Sequence, residues 1–411
     1  MTTITADVAV APRRSFQEVW VISLGHALTH WYPATFYLLL PLIGKELGLS
    51  YSEIGAVLTC QYFAGAIANI PGGIFVDTVG RKGPLMAASL FWIGFPYLMM
   101  GFSHAYWMVL CCATLVGIGN NLWHPSAIPW LANRFPQRKG LVMSIHGMGG
   151  NVGDAVAPLV VGALLGFMSW RNVVVINVIP GVLIAAFTLI YLGRRQNGDA
   201  GAAIADVSAA AISGVERLRM FGALLKNRAL ITLAAGSAFR TMTQGALLTF
   251  LPLYLAREMG YPTLWIGACM FALQAGGFIA APIAGHLSDR IGRRQIILSS
   301  MAMSAVVIFL MLFAGGTGWF VMFVSVLGFF LFAVRAVLQA WLLDATPPAM
   351  GGSAIGLLFA SQAFGQAVGP VSAGIVADHY GLMGAFYFLA ATIVVANFLV
   401  FVTPAGLMKR D

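Results

Sequence analysis

Four histidines, one carboxylate and two arginines sit inside long apolar stretches of this 411-residue chain, and they are the groups able to do chemistry there. His26 and His30 are spaced i,i+4 and share a helix face; His146, Gly150 and Asp154 repeat that spacing, placing His146 and Asp154 about 12 Å apart along an axis. His124 stands beside Pro125 and follows Asn120 and Asn121. Arg240 with Gln244, Arg335 with Gln339, and Gln362 with Gln366 form three more i,i+4 pairs, and Gln61 and Gln274 add amides in neighbouring stretches. An ionisable group at membrane depth costs about 2.5–3.5 kcal/mol on insertion scales, so each needs a reason to be there. Histidine titrates near neutral pH and can carry a proton. A carboxylate that burial pushes one way and a nearby cation the other suits a proton carrier, and Asp154, with His146 on its face, is the candidate. The competing reading makes both structural partners of a basic group. Arg240 and Arg335 have no acid at comparable depth in their half, and Asp344 lies about two turns nearer the helix end. A guanidinium offers forked donors to carboxylate, phosphate or phosphonate, so the pair points to an anionic or zwitterionic solute. The expected lining is Arg240, Arg335, His26, His30, His124, Asn121, Gln244, Gln339 and Gln362. Structural pairing of the arginines and helix–helix hydrogen bonding by the histidines stay open as alternatives. Histidines at i,i+4 can also ligate zinc. No Glu or Cys lies near His26 and His30 in sequence, and neither a metal nor a cofactor is assigned.

Composition says what must hold these groups. Apolar residues make up 59% of the chain and charged residues 9%; a soluble domain carries roughly 25% charged residues. That excludes a soluble body, a disordered chain and a disulfide scaffold. The net charge of +9 does not indicate nucleic-acid binding, because the basic residues cluster where a membrane protein puts them. Cys60, Cys111, Cys112 and Cys269 all fall in apolar stretches and are expected as buried free thiols. The polar first 16 residues, ending in Arg13 and Arg14, and the missing small-residue cleavage site argue against a signal peptide.

Spans of about 20 apolar residues are expected at 17–44, 51–76, 83–103, 105–132, 140–166, 171–193, 228–256, 262–287, 296–314, 318–344, 351–376 and 382–404. This is an all-α membrane protein: a bundle over 1–193, a cytoplasmic linker over 194–227 and a second bundle over 228–411, six helices in each. With the N-terminus inside, 18 Lys and Arg fall on the cytoplasmic side and 3 outside, so both termini are expected in the cytoplasm. The loop after the second span carries Gly73, Asp77, Gly80, Arg81 and Lys82; the loop after the eighth carries Gly285, Asp289, Gly292, Arg293 and Arg294 at the same offsets. Duplication of this kind marks transporters built from two bundles around a central site. Gly73 and Gly285 are expected to let neighbouring helices approach, Gly80 and Gly292 to take positive φ, and Asp77 and Asp289 to bond a helix N-terminus or a basic residue such as Arg134. That makes a latch between conformational states.

The duplicated motif, the twelve spans and the long middle loop resemble the major facilitator superfamily over essentially the whole chain, with Thr78 standing where a basic residue is usual. The resemblance implies a rocker-switch transporter with one cavity between its halves. A narrower run, Gly117, Gly119, Asn120, Asn121, Trp123, His124 and Pro125, then Ser144, Gly149, Gly150, Asn151, Gly153, Asp154 and Pro158, resembles the fosmidomycin-resistance type of efflux permease. It departs at Ser126, where that type has a carboxylate, and at Asp154, where it has a small residue. The combined expectation is a monomeric, proton-coupled secondary transporter in a bacterial inner membrane, exporting a small organic anion, zwitterion or drug by antiport. Uptake of a carboxylate by symport is the alternative, and a membrane-embedded receptor or enzyme is the alternative from another class. The absence of a Walker loop, of a Ser/His/Asp cluster and of a metalloprotease motif speaks against ATP hydrolysis and enzymatic catalysis.

Overall fold

The computed structural model describes residues 16–79, 81–120, 122–198, 222, 226–315, 317–346 and 351–404; the side chains of 69, 70, 77, 194–198 and 351–353 are not described. Gly80, Asn121 and the Asp77 side chain therefore lie outside the described residues, as does most of 194–227. The described residues hold helices and no strand. α1 is Gln17–Leu47, α2 Tyr51–Val79, α3 Lys82–Met100, α4 Tyr106–Asn120, α5 Trp123–Arg134, α6 Lys139–Leu164 and α7 Trp170–Gly198. After the middle segment come α8 Arg228–Arg257, α9 Thr263–Ile291, α10 Arg293–Phe313, α11 Gly318–Asp344 and α12 Gly351–Phe401. α4 and α5 together make the fourth expected span. α12 contains the last two, broken where Gly381 takes φ 74°, a conformation that glycine adopts without Cβ strain. α7 runs on through Gly198, into the stretch expected as linker. Six helices are individually long and apolar enough to cross a membrane.

The outer surface is apolar: Phe167, Phe313, Trp107 and Trp265 stand exposed, as side chains facing lipid should. All four cysteines are free, but only Cys269 is buried as expected; Cys60 and Cys112 are half-buried and Cys111 is exposed. Inside each half, helices are drawn together by glycine. A Cβ at Gly149 would lie 2.2 Å from the Ser23 carbonyl oxygen, and one at Gly153 would lie 2.1 Å from that of Ala27. α6 is thus held against α1 at backbone distance, the close packing that small residues permit.

Among the described residues, the close glycine contacts between the two halves lie at one end. The basic ends of the helices carry Arg81, Arg134, Arg138, Arg290, Arg293 and Arg294; the opposite ends carry Lys45, Arg171 and Arg257. At the opposite end, Gly55 of α2 abuts Pro370 of α12, Gly374 abuts Tyr51, and Gly162 of α6 interlocks with Thr263 and Gly267 of α9. At the basic end, Cβ atoms built on Gly73, Gly140, Gly147, Gly285 or Gly356 would touch nothing within 4 Å. The expected close approach at Gly73 and Gly285 is therefore not made here: both face open space. The structure is closed at one end and open at the basic end.

The closed end is fastened by polar contacts. Ser50 caps α2 in a box with Glu53, and Asp378 of the other half accepts from the Tyr51 and Ser52 amides at 2.7 and 3.0 Å. A carboxylate from one bundle thereby satisfies the unpaired donors of a helix in the other. Thr59 donates to the Ala367 carbonyl at 2.5 Å and Thr263 to that of Gly162 at 2.9 Å. Within the first half, Glu46 accepts from Trp170 and Arg171, both at 2.6 Å, and these donors hold its carboxyl below the usual range. Losing a helix-capping carboxylate costs about 1 kcal/mol. Asp378→Ala should therefore speed hydrogen–deuterium exchange of the Tyr51 and Ser52 amides about 5- to 10-fold in mass spectrometry, leaving exchange in α3 unchanged.

Candidate functional site

Three helices of the first half, α1, α5 and α6, bring the four histidines and Asp154 into one cluster. Gly150 makes room for it: a Cβ there would lie 2.8 Å from the His26 ring and 3.0 Å from His30 Nε2. His26 is buried and its Nδ1–H donates to the His146 carbonyl oxygen at 2.6 Å. That bond fixes the tautomer and leaves His26 Nε2 as a lone pair, 3.0 Å from His124 Nε2, which supplies the proton between them. His146 stacks on His26 with ring centroids 4.0 Å apart; it is 4% exposed, and neither of its ring nitrogens has a hydrogen-bond partner.

Two members of the cluster reach solvent. His30 Nδ1 lies 2.9 Å from Asp154 Oδ2, with side chains 28% and 30% exposed. The structure thus pairs Asp154 with His30 on the facing helix rather than with His146, about two turns away on its own. Nearby, the Tyr37 and Tyr62 hydroxyls bond each other, and Tyr62 also bonds Gln366 of the second half. Both tyrosines lie near enough to Asp154 to feel its charge.

The second half contributes the arginines, and the structure separates them. Arg335 on α11 is exposed. It lies close enough to both Arg240 and His124 for their charges to repel, which places it in the gap between the halves. Arg240 on α8 is 1% exposed. Its Nη1 donates to Gln244 Oε1 at 3.1 Å and to the Leu331 carbonyl at 3.3 Å, and its Nε has no hydrogen-bond partner. Among the described residues no carboxylate pairs with either arginine. Arg240 is thus not itself at the cavity surface; it is a buried charge behind Arg335.

Other expected lining residues divide in the same way. Gln244 is committed to Arg240, Gln339 is half-buried on the Arg335 helix, and Gln362 is buried. Gln362 donates to the Ser237 hydroxyl at 2.8 Å while its carbonyl accepts from Thr241. Its amide ties α12 to α8, so it belongs to a helix interface and not to the cavity surface. An i,i+4 polar pair marks a face, and that face can equally be an interface between helices.

The latch residues are also distributed. Gly292 takes φ 111°, as expected. Arg293 joins Asp289 at 2.5 Å and Asp344 at 3.2 Å, clasping α9, α10 and α11 inside the second half. Arg81 starts α3. Arg134 meets a carboxylate the sequence had not pointed to: Glu18, wholly buried, lies 2.8 Å from Arg134 Nε and accepts from Trp130 Nε1 at 3.2 Å. Glu18 sits in the first turn of α1. A lone acid opening a spanning helix was the available signal.

Two six-helix halves around a gap, with a duplicated loop motif, define a known architecture, and the comparisons agree. The pattern of the Major Facilitator Superfamily matches residues 22–279 and again 265–410. The chain belongs to the major facilitator superfamily. It is similar to the phosphoglycerate transporter protein of Salmonella typhimurium (22% identical, covering 97% of this chain and 91% of the relative). It is also similar to the fosmidomycin resistance protein of Escherichia coli (24% identical, covering 89% and 88%). Among solved structures it superimposes on a bacterial homologue of the human lysosomal transporter Spinster in an inward-facing, unoccupied conformation. The TM-score there is 0.78 at 15% identity, over 97% of both chains. A major facilitator protein is a multi-pass secondary transporter of small molecules and not an enzyme.

Proposed function

We propose that this transporter exports a small anionic or zwitterionic organic solute from a bacterial cell in exchange for protons, working as a monomer in the inner membrane. The observation that carries the anion is Arg335: exposed between the halves, near Arg240 and His124, and without a carboxylate partner among the described residues. A guanidinium at membrane depth needs a counter-charge, and the solute supplies it. The similarity to a phosphoglycerate transporter protein supports an anion. The similarity to a fosmidomycin resistance protein, and the matching run from Gly117 to Pro158, support export. The basic ends face the cytoplasm by the charge asymmetry of the loops, so the open gap faces inward and both termini lie inside. Asp154, accessible from the gap and paired with His30, carries the proton.

Proteoliposomes with an imposed pH gradient and a panel of radiolabelled organic anions test the reading. An acidic lumen should drive accumulation, because protons leaving the vesicle exchange for solute entering. Accumulation driven by an acidic bath would instead establish symport, and flux indifferent to the gradient would remove proton coupling.

A further inference from the structure

We propose that His26, His124 and His146 form a binding site for a divalent transition-metal ion of the zinc class, independently of the solute the protein carries. One nitrogen from each ring can be chosen so that all three lie within 4.8 Å of one another. They come from α1, α5 and α6, so no sequence spacing announces the set.

The arrangement around the rings is that of a ligand set. Zn–N bonds of about 2.0–2.1 Å in tetrahedral geometry put two ligating nitrogens roughly 3.3 Å apart. The Nε2 atoms of His26 and His124 stand at 3.0 Å, so a few tenths of an ångström of opening admits an ion between them. His26 already makes the outer contact that ligating histidines make: its second nitrogen donates to a backbone carbonyl, fixing the tautomer and aiming the lone pair at the shared point. His146 is buried with both nitrogens unbonded, an arrangement that native interiors rarely leave unrelieved. Its ring lies nearly parallel to that of His26, at 14°. It must turn about its side-chain torsion to point a nitrogen inward, and no side-chain hydrogen bond resists that turn. Imidazole-only coordination selects zinc, copper or nickel over magnesium or calcium. His124 is only half-buried and borders the gap, which gives the ion a path and leaves the fourth position to water. Arg335 nearby opposes a cation there, and an anion in the gap offsets that repulsion.

The test is titration of tag-free, full-length protein in nanodiscs with Co2+, read by the visible absorption of a tetrahedral ion, and with Zn2+ by calorimetry. We expect one equivalent per chain at micromolar or tighter affinity, nitrogen-only cobalt bands without thiolate charge transfer, and an affinity lowered about 100-fold in His124→Ala. His26→Gln should act likewise, which guards against one variant folding poorly; both must elute as wild type does. His104, His286 and His379 remain in every variant. Binding unchanged by both substitutions, thiolate-type bands, or no binding beyond theirs would overturn the site.

Discussion

Arg335→Gln should cut transport of the anionic solute about 100-fold while leaving expression, elution and helix content as in the wild type. Removing one partner of a close charged pair typically costs about 2–5 kcal/mol, and 2.7 kcal/mol is a factor of 100. The protein itself should tolerate the change, because Arg335 is exposed in the gap and no carboxylate depends on it among the described residues. Arg335→Lys keeps the charge but not the fork and should recover only part of the rate. Arg240 calls for a different expectation. It is buried against Gln244 and the Leu331 carbonyl, so its loss acts through packing and through the charge behind Arg335. Flux measured in vesicles at saturating solute, with the Michaelis constant measured separately, distinguishes the two. Arg335→Gln should raise the Michaelis constant as well as lower the rate.

The second large effect is expected at Asp154. Asp154→Asn keeps size and polarity but removes the titratable group, and His30 can still hydrogen-bond an amide. Accumulation of solute against its gradient should fall to the equilibrium level, whereas downhill exchange of labelled for unlabelled solute should persist. Loss of both modes would instead make Asp154 a structural partner of His30. Persistence of uphill accumulation would remove the proton role altogether.

The fold was legible because its signals are local. Each span needs only a run of apolar residues, and the repeat needs only two stretches of ten residues at equal offsets. The 51-residue run of α12 was not legible, because a kinked helix and two separate spans have similar composition. Gly292 was readable since its positive φ belongs to one residue. Gly73 and Gly285 were not, since what they face depends on which end of the molecule is closed.

The site was legible in its inventory and not in its pairing. His26 with His30 and His146 with Asp154 were visible as faces. Yet the contacts made are His26 with His146 and His124, and His30 with Asp154, across helices more than ninety residues apart in sequence. Gln362 shows the limit of the stripe argument: the same spacing serves a helix interface as well as a water-filled gap. Glu18 shows its complement, because a buried acid becomes meaningful only when Arg134 and Trp130 arrive from another helix.

A shape open at the basic end fits these pieces into one mechanism. Contacts at Gly55, Gly162 and Asp378 hold the far end shut, while the half-buried His30–Asp154 pair and the exposed Arg335 come from opposite halves. An anion bridging Arg335 and the first half would draw the basic ends together, and the contacts at the far end would then have to part. On the proposed function, protonation of Asp154 would remove a carboxylate charge from the gap and so link proton and solute occupancy through one field.

The most direct measurement is the current recorded when purified protein on a solid-supported membrane meets a concentration jump of solute, with organic anions, neutral solutes and lipophilic cations compared. Currents are expected with anions alone, abolished by Arg335→Gln. Equal responses to neutral or cationic solutes, unchanged by that substitution, would contradict this.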